Sequence, residues 1–140
     1  MIVVDASVAV KWLLPETNSD AAQKLLATGQ ELTAPSLIRL EVAAAITRKV
    51  RMGELSPDAA RLGVELWLQS LTDGVLVLME SQADLENAVD LAFSLRHPLQ
   101  GCLYLALARR LDVALITADP KFVHRAAAEY PNVRLLGAKN

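Results

Sequence analysis

The chain is 140 residues long, 53% apolar but only 4% aromatic, a composition that excludes a disordered chain and predicts one domain over 1–140 with a core of Leu, Val, Ile and Ala. Fourteen basic residues against 16 acidic ones leave a net charge of -2, so the overall balance demands no nucleic-acid or membrane partner and any anionic ligand must be held locally.

Ile2 to Val4 is a β-branched run ended by Asp5, which predicts a short central strand with a carboxylate at its C-terminal end, followed by a helix capped by Ser7. An acid after three apolar residues, and Lys11 beyond it, predict neither a signal peptide nor a membrane span at this end. Residues 18–28 place Ala21, Ala22, Leu25 and Leu26 at helical spacing and stop at Gly29. Leu32 to Ala34 reads as a second strand. Pro35 and Ser36 are expected to open a long helix ending at Gly53, and Ser56-Pro57-Asp58 a second that runs to about Leu71 before a turn at Asp73-Gly74. Apolar surface on this pair is expected to be covered by a partner or a second copy.

Val75 to Leu78 predicts a third strand, Ser81 to Leu95 an amphipathic helix, and His97-Pro98 a break before an apolar helix over Cys102 to Arg110. Val113 to Thr117 and Val133 to Leu136 read as two further strands on either side of a helix opened by Pro120. Strands alternating with helices predict an α/β fold with a mainly parallel sheet of about five strands, covered by helices on both faces. Ligands of such sheets bind outside the carboxyl ends of the strands, where Asp5 and Asp119 both fall.

Three acids stand out. Glu41 has Leu37, Ile38, Ala44 and Ala45 as its helical neighbours, so its carboxylate needs either an ion pair, for which Arg48 two turns on is the candidate, or a ligand. Asp5 also fits a helix cap, and Asp119 before Pro120 fits a normal helix opening. Together they form a set of oxygen ligands that suits a hard divalent cation, Mg²⁺ or Mn²⁺, which polarises a phosphodiester and acidifies an attacking water. Other features point elsewhere. Cys102 is the only cysteine, which excludes an intrachain disulfide and, within an apolar run, predicts a buried inert thiol in a reducing cytoplasm. His97 and His124 show no zinc spacing and read as ordinary loop or helix positions. The basic run at Arg48-Lys49-Val50-Arg51 fits a helix end, with Arg48 also a candidate phosphate contact. The sequence has no Gly-rich phosphate loop, nucleophile elbow or paired CxxC motif.

Four segments in order, Val3-Val4-Asp5-Ala6-Ser7, Ala34-Pro35-Ser36-Leu37 leading to Glu41, Cys102-Leu103-Tyr104-Leu105-Ala106-Leu107-Ala108 and Leu115-Ile116-Thr117-Ala118-Asp119, resemble the PIN-domain family, specifically VapC-type toxin ribonucleases, over almost the full length. The resemblance implies a metal site of Asp5, Glu41 and Asp119, supported by the hydroxyls of Ser7 and Thr117, cleavage of RNA with Mg²⁺ or Mn²⁺, a homodimer, and silencing by a small VapB-like antitoxin. The chain departs from the pattern twice. Gly101 stands where the family carries another metal-binding aspartate, and Ala44 where a polar residue commonly follows the glutamate. The missing acid also motivates an alternative, a catalytically weakened PIN fold that binds antitoxin or RNA without efficient turnover.

Overall fold

The computed structural model describes residues 1–138. Its centre is a five-stranded sheet in the order β3-β2-β1-β4-β5, formed by β1 (Ile2–Val4), β2 (Leu32–Pro35), β3 (Leu76–Met79), β4 (Ala114–Thr117) and β5 (Val133–Leu135). Every neighbouring pair is parallel. The expected mainly parallel architecture is therefore present, with no antiparallel pair among these strands. Every residue of β1, β2 and β4 is buried, as strands covered on both faces must be, whereas the edge strands β3 and β5 are partly exposed.

The helices are α1 (Ala6–Leu13), α2 (Ser19–Ala27), α3 (Ile38–Arg51), α4 (Pro57–Thr72), α5 (Gln82–Leu95), α6 (Leu99–Leu111) and α7 (Pro120–Ala126). Helix α6 buries Cys102, Tyr104, Leu105, Ala106, Leu107 and Ala108 and packs against β1, β2 and β4, so it is the apolar wall behind the middle of the sheet. None of the described helices is long and apolar enough to cross a membrane.

Three boundaries differ from the sequence reading. Pro35 does not open a helix: it closes β2, opposite Met79, and the Ser36 amide continues the ladder to the Met79 carbonyl at 3.1 Å, which delays α3 to Ile38. Ser7 is not a cap but lies in the first turn of α1, and the N-cap position belongs to Asp5. Helix α6 begins at Leu99, right after Pro98, so Gly101 lies in its first turn rather than ahead of it.

The strand order reverses between β1 and β4, and the pairing of Val4 with Ile116 brings the carboxyl ends of these two strands level. That seam is the switch point at which open α/β sheets form a ligand crevice.

Candidate functional site

Asp5 is the first residue beyond β1, and its amide extends the ladder to the Ile116 carbonyl at 3.0 Å. This bond fixes its backbone beside Thr117. Asp5 Oδ2 then accepts hydrogen bonds from the Thr117 hydroxyl at 2.8 Å and from the Ser7 hydroxyl at 2.8 Å. Each hydroxyl has one proton to give, so the 3.4 Å approach of Ser7 Oγ to Thr117 Oγ1 is a contact between acceptors. Both oxygens are themselves bonded from the next strand end, Ser7 Oγ by the Ala118 amide at 3.0 Å and Thr117 Oγ1 by the Asp119 amide at 3.2 Å. Although Asp5 occupies the N-cap position, its side chain makes no capping bond, so its carboxylate is committed to the seam and not to α1.

Burial pushes the Asp5 carboxyl above its ordinary value, against the lowering effect of Ser7, Thr117 and the Ala6 amide, and the charge of Asp119 raises it further. Asp119 performs the structural role its sequence suggested. Its Oδ1 accepts from the Lys121 amide at 3.0 Å, capping α7 ahead of Pro120. The cap engages one carboxylate oxygen, and the charge of the group still acts on Asp5.

Glu41 enters from the first turn of α3. It is half-buried, and the face it shares is more open to solvent than the sequence suggested, since Ala44 and Leu40 are exposed. No ion pair joins it to Arg48, which is also exposed, so the structural explanation of this acid is not realised. Instead Glu41 Oε1 is buried without a hydrogen-bond partner, and so is the hydroxyl of Tyr104, from the fully buried face of α6. The Tyr104 hydroxyl faces the Glu41 carboxyl and acts on it as a donor would, although the pair falls short of good hydrogen-bond geometry. Burial raises the Glu41 carboxyl, the Tyr104 phenol lowers it, and the charge of Asp5 raises it again. Tyr104 in turn is held far above its ordinary value by burial and by the charges of Glu41 and Asp5, so it stays a neutral phenol.

Asp5 is thus the centre of mutual repulsion with Glu41 on one side and Asp119 on the other. Among the described residues no three His, Cys, Asp or Glu side chains stand at the spacing of a closed metal site, so the acids line the seam without converging on a single point. The donor set nevertheless fits a hard divalent cation: a buried carboxylate oxygen lacks any partner, the neighbouring acids repel one another, and all available donors are oxygens. Gly101 adds no side chain to this set from α6.

His97 and its partners are the part of this region that sequence reasoning missed. The imidazole stacks on Phe122 of α7, with ring centroids 4.3 Å apart and an interplanar angle of 8°. Arg125 Nη1 lies 3.1 Å from its Nδ1. Burial lowers the imidazole below its ordinary value; Asp119 raises it, Arg125 lowers it and Asp5 raises it. No local signal marked it, because His97 lies outside α6 and is held by two side chains of α7. Cys102 is buried with its thiol raised by burial, and its Sγ approaches the His97 carbonyl at 3.9 Å, as expected of an inert thiol. His124 makes no contact with the acids among the hydrogen bonds of the described residues.

Comparison with known proteins gives a consistent result. Residues 2–128 match the PIN domain family. The chain is 30% identical over 131 residues to ribonuclease VapC3 of Pyrobaculum aerophilum, covering 91% of this chain and 95% of that protein. It is 29% identical over 133 residues to ribonuclease VapC9 of Mycobacterium tuberculosis, with 94% and 95% covered. A chain of a toxin-antitoxin complex from Klebsiella pneumoniae has the same fold, with a TM-score of 0.66, 16% identity and 96% of each chain covered.

Proposed function

The chain belongs to the PIN-domain family, and from that membership and the acidic seam we propose that it is a metal-dependent endoribonuclease, the toxin of a VapBC-type toxin-antitoxin pair, hydrolysing RNA phosphodiesters. Asp5, Glu41 and Asp119 would hold Mg²⁺ or Mn²⁺. When bound, the ion supplies Lewis acidity to the phosphodiester and lowers the pKa of an attacking water. The chain's own contribution is placement. Ser7 and Thr117 fasten one oxygen of Asp5, which fixes the rotation of its carboxylate, and the Asp119 and Ala118 amides fasten the two hydroxyls in turn. Tyr104 closes the floor beneath Glu41 with a buried ring and an uncharged hydroxyl.

The observation that carries this reading is the partnerless buried oxygen of Glu41 beside a second buried acid, an arrangement that is costly without a cation. The antitoxin and homodimer partners are supported by apolar side chains left in solvent on α3 and α4, among them Leu40 at 68% exposure and Leu62 at 57%. The test is cleavage of a mixed-sequence RNA by purified protein in Mn²⁺. Cleavage that EDTA abolishes, and that Asp5→Asn abolishes, supports the proposal; intact RNA together with no heat of Mn²⁺ binding defeats it.

A second reading is favoured by one observation, the absence of any carboxylate from the first turn of α6. In that reading the fold binds antitoxin or RNA with little turnover. Mn²⁺ binding without RNA cleavage, alongside retained RNA affinity, would select it.

A further inference from the structure

Gly101 is not a vacancy in this structure. A β-carbon built there would lie 2.7 Å from His97 Nε2 and 2.9 Å from His97 Cδ2, and 3.6 Å from Phe122 Cε2. The imidazole therefore occupies the space through which any side chain at position 101 would leave the helix, and only glycine leaves room for it. The ring is also fixed from behind, by its stack on Phe122 and by Arg125 at Nδ1. A guanidinium has only donors, so Nδ1 must accept, and the proton of the neutral ring resides on Nε2, the atom packed over Gly101. Phe122 and Arg125 belong to α7, the helix that Asp119 caps, so one short element holds both an acid of the site and the clamp on His97.

We propose that His97 serves the acidic seam as a hydrogen-bond donor to a backbone phosphate of bound RNA, an N–H standing where the family pattern has an acid. This rests on the nuclease reading above. An N–H with its tautomer set by Arg125 cannot offer Nε2 as a metal ligand, because that lone pair carries the proton. It can offer a donor to a phosphate oxygen, the one substrate group that must approach the seam in any phosphodiester hydrolysis. The proposal also changes what restoring an acid would do. An aspartate at position 101 has to expel the imidazole from its stack, so the glycine and the histidine act as a pair.

Three measurements test this on the full chain. Long-range ¹H–¹⁵N spectra should show the Nε2–H tautomer for His97. Steady-state cleavage of a mixed-sequence RNA in Mn²⁺ should give His97→Ala a KM raised about tenfold with kcat within about twofold, and anisotropy of the same RNA in EDTA should show a matching loss of affinity. His97→Gln, which keeps an N–H donor, should recover most of the loss, and Gly101→Ala should reproduce it by displacing an unaltered histidine. If His97→Ala binds and cleaves as the parent does while Asp5→Asn is inactive, the role of His97 is wrong and the nuclease reading survives. If the parent neither binds nor cleaves RNA, both fall. An Nδ1–H tautomer whose resonances shift on Mg²⁺ addition would make His97 a metal ligand and overturn the proposal.

Discussion

The Thr117 hydroxyl donates a hydrogen bond to Asp5 Oδ2 across the β1–β4 seam at 2.8 Å, although 112 positions separate the two in sequence. The parallel register of Val4 with Ile116 makes this possible, because it stops both strands at the same level. The bond offsets part of the burial that raises Asp5. Replacing Thr117 with valine keeps the shape and removes the donor. Thr117→Val is expected to lose about 1 kcal/mol of stability and to bind Mn²⁺ several-fold more weakly at pH 6 than at pH 8, since Asp5 then holds its proton to a higher pH. Calorimetric titration at the two pH values checks this; an equal effect at both would show that the hydroxyl does not tune Asp5.

The raised Asp5 and Glu41 carboxyls also set a pH dependence of folding, with a definite sign. Between the ordinary carboxylate range and the raised folded values, the native chain keeps protons that the unfolded chain has lost. Metal-free stability therefore falls as pH rises through that window, and the penalty is complete above it. Asp5→Asn removes the charge while its side-chain oxygen still accepts from Ser7 and Thr117. Its melting temperature without divalent ions should exceed the parent's at pH 7.5 by roughly 3–4 °C for each kcal/mol relieved, and the gap should close near pH 4. Excess Mn²⁺ should stabilise the parent alone. A parent that melts higher than Asp5→Asn in EDTA at pH 7.5 would show that the site carries no repulsion to relieve.

The sheet was legible because buried parallel strands are short, largely apolar runs between helical patterns, as Ile2–Val4 and Ala114–Thr117 are, whereas Leu32–Pro35 shows the pattern only weakly. The positions of Asp5, directly after β1, and Asp119, two residues beyond β4, followed, since acids there sit at the carboxyl ends of the strands. What local pattern could not supply was the partner of each group. Arg48 lies at the right helical interval to reach Glu41 but faces solvent, whereas the group that actually meets Glu41 is Tyr104, from a helix whose aliphatic run gives no hint of what its hydroxyl faces. His97 was hidden for the same reason. Its place depends on Phe122 and Arg125, and nothing in the two segments predicts that they stack.

Glu41→Gln separates the metal role of this acid from its packing. The amide group removes the repulsion with Asp5 and can donate to the Tyr104 hydroxyl, so two unpartnered buried groups gain a bond at once. The variant is expected to melt higher than the parent in EDTA while binding Mn²⁺ at least about tenfold more weakly, a loss on the order of 1.4 kcal/mol or more. Thermal melts with and without Mn²⁺ report both effects in one experiment. A variant that melts lower in EDTA would mean that Glu41 is satisfied in solution by something other than a cation.

Away from the seam, the α5–α6 contact offers an asymmetric test of how charges hold this fold together. Asp84 accepts two hydrogen bonds from Arg110, from Nε at 2.7 Å and from Nη2 at 2.9 Å, but the aspartate side chain is 5% exposed and the arginine 39%. Removing either partner breaks the same pair and leaves different remainders. Asp84→Ala frees an arginine that can turn into water, and the expected loss is about 1–2 kcal/mol. Arg110→Ala strands a carboxylate in a nearly dry position, for which about 3 kcal/mol is expected. Urea denaturation of both variants at pH 7 measures the difference. Equal losses at pH 7 would mean that water reaches Asp84 once its partner is gone, and that the cost of burying this charge is small.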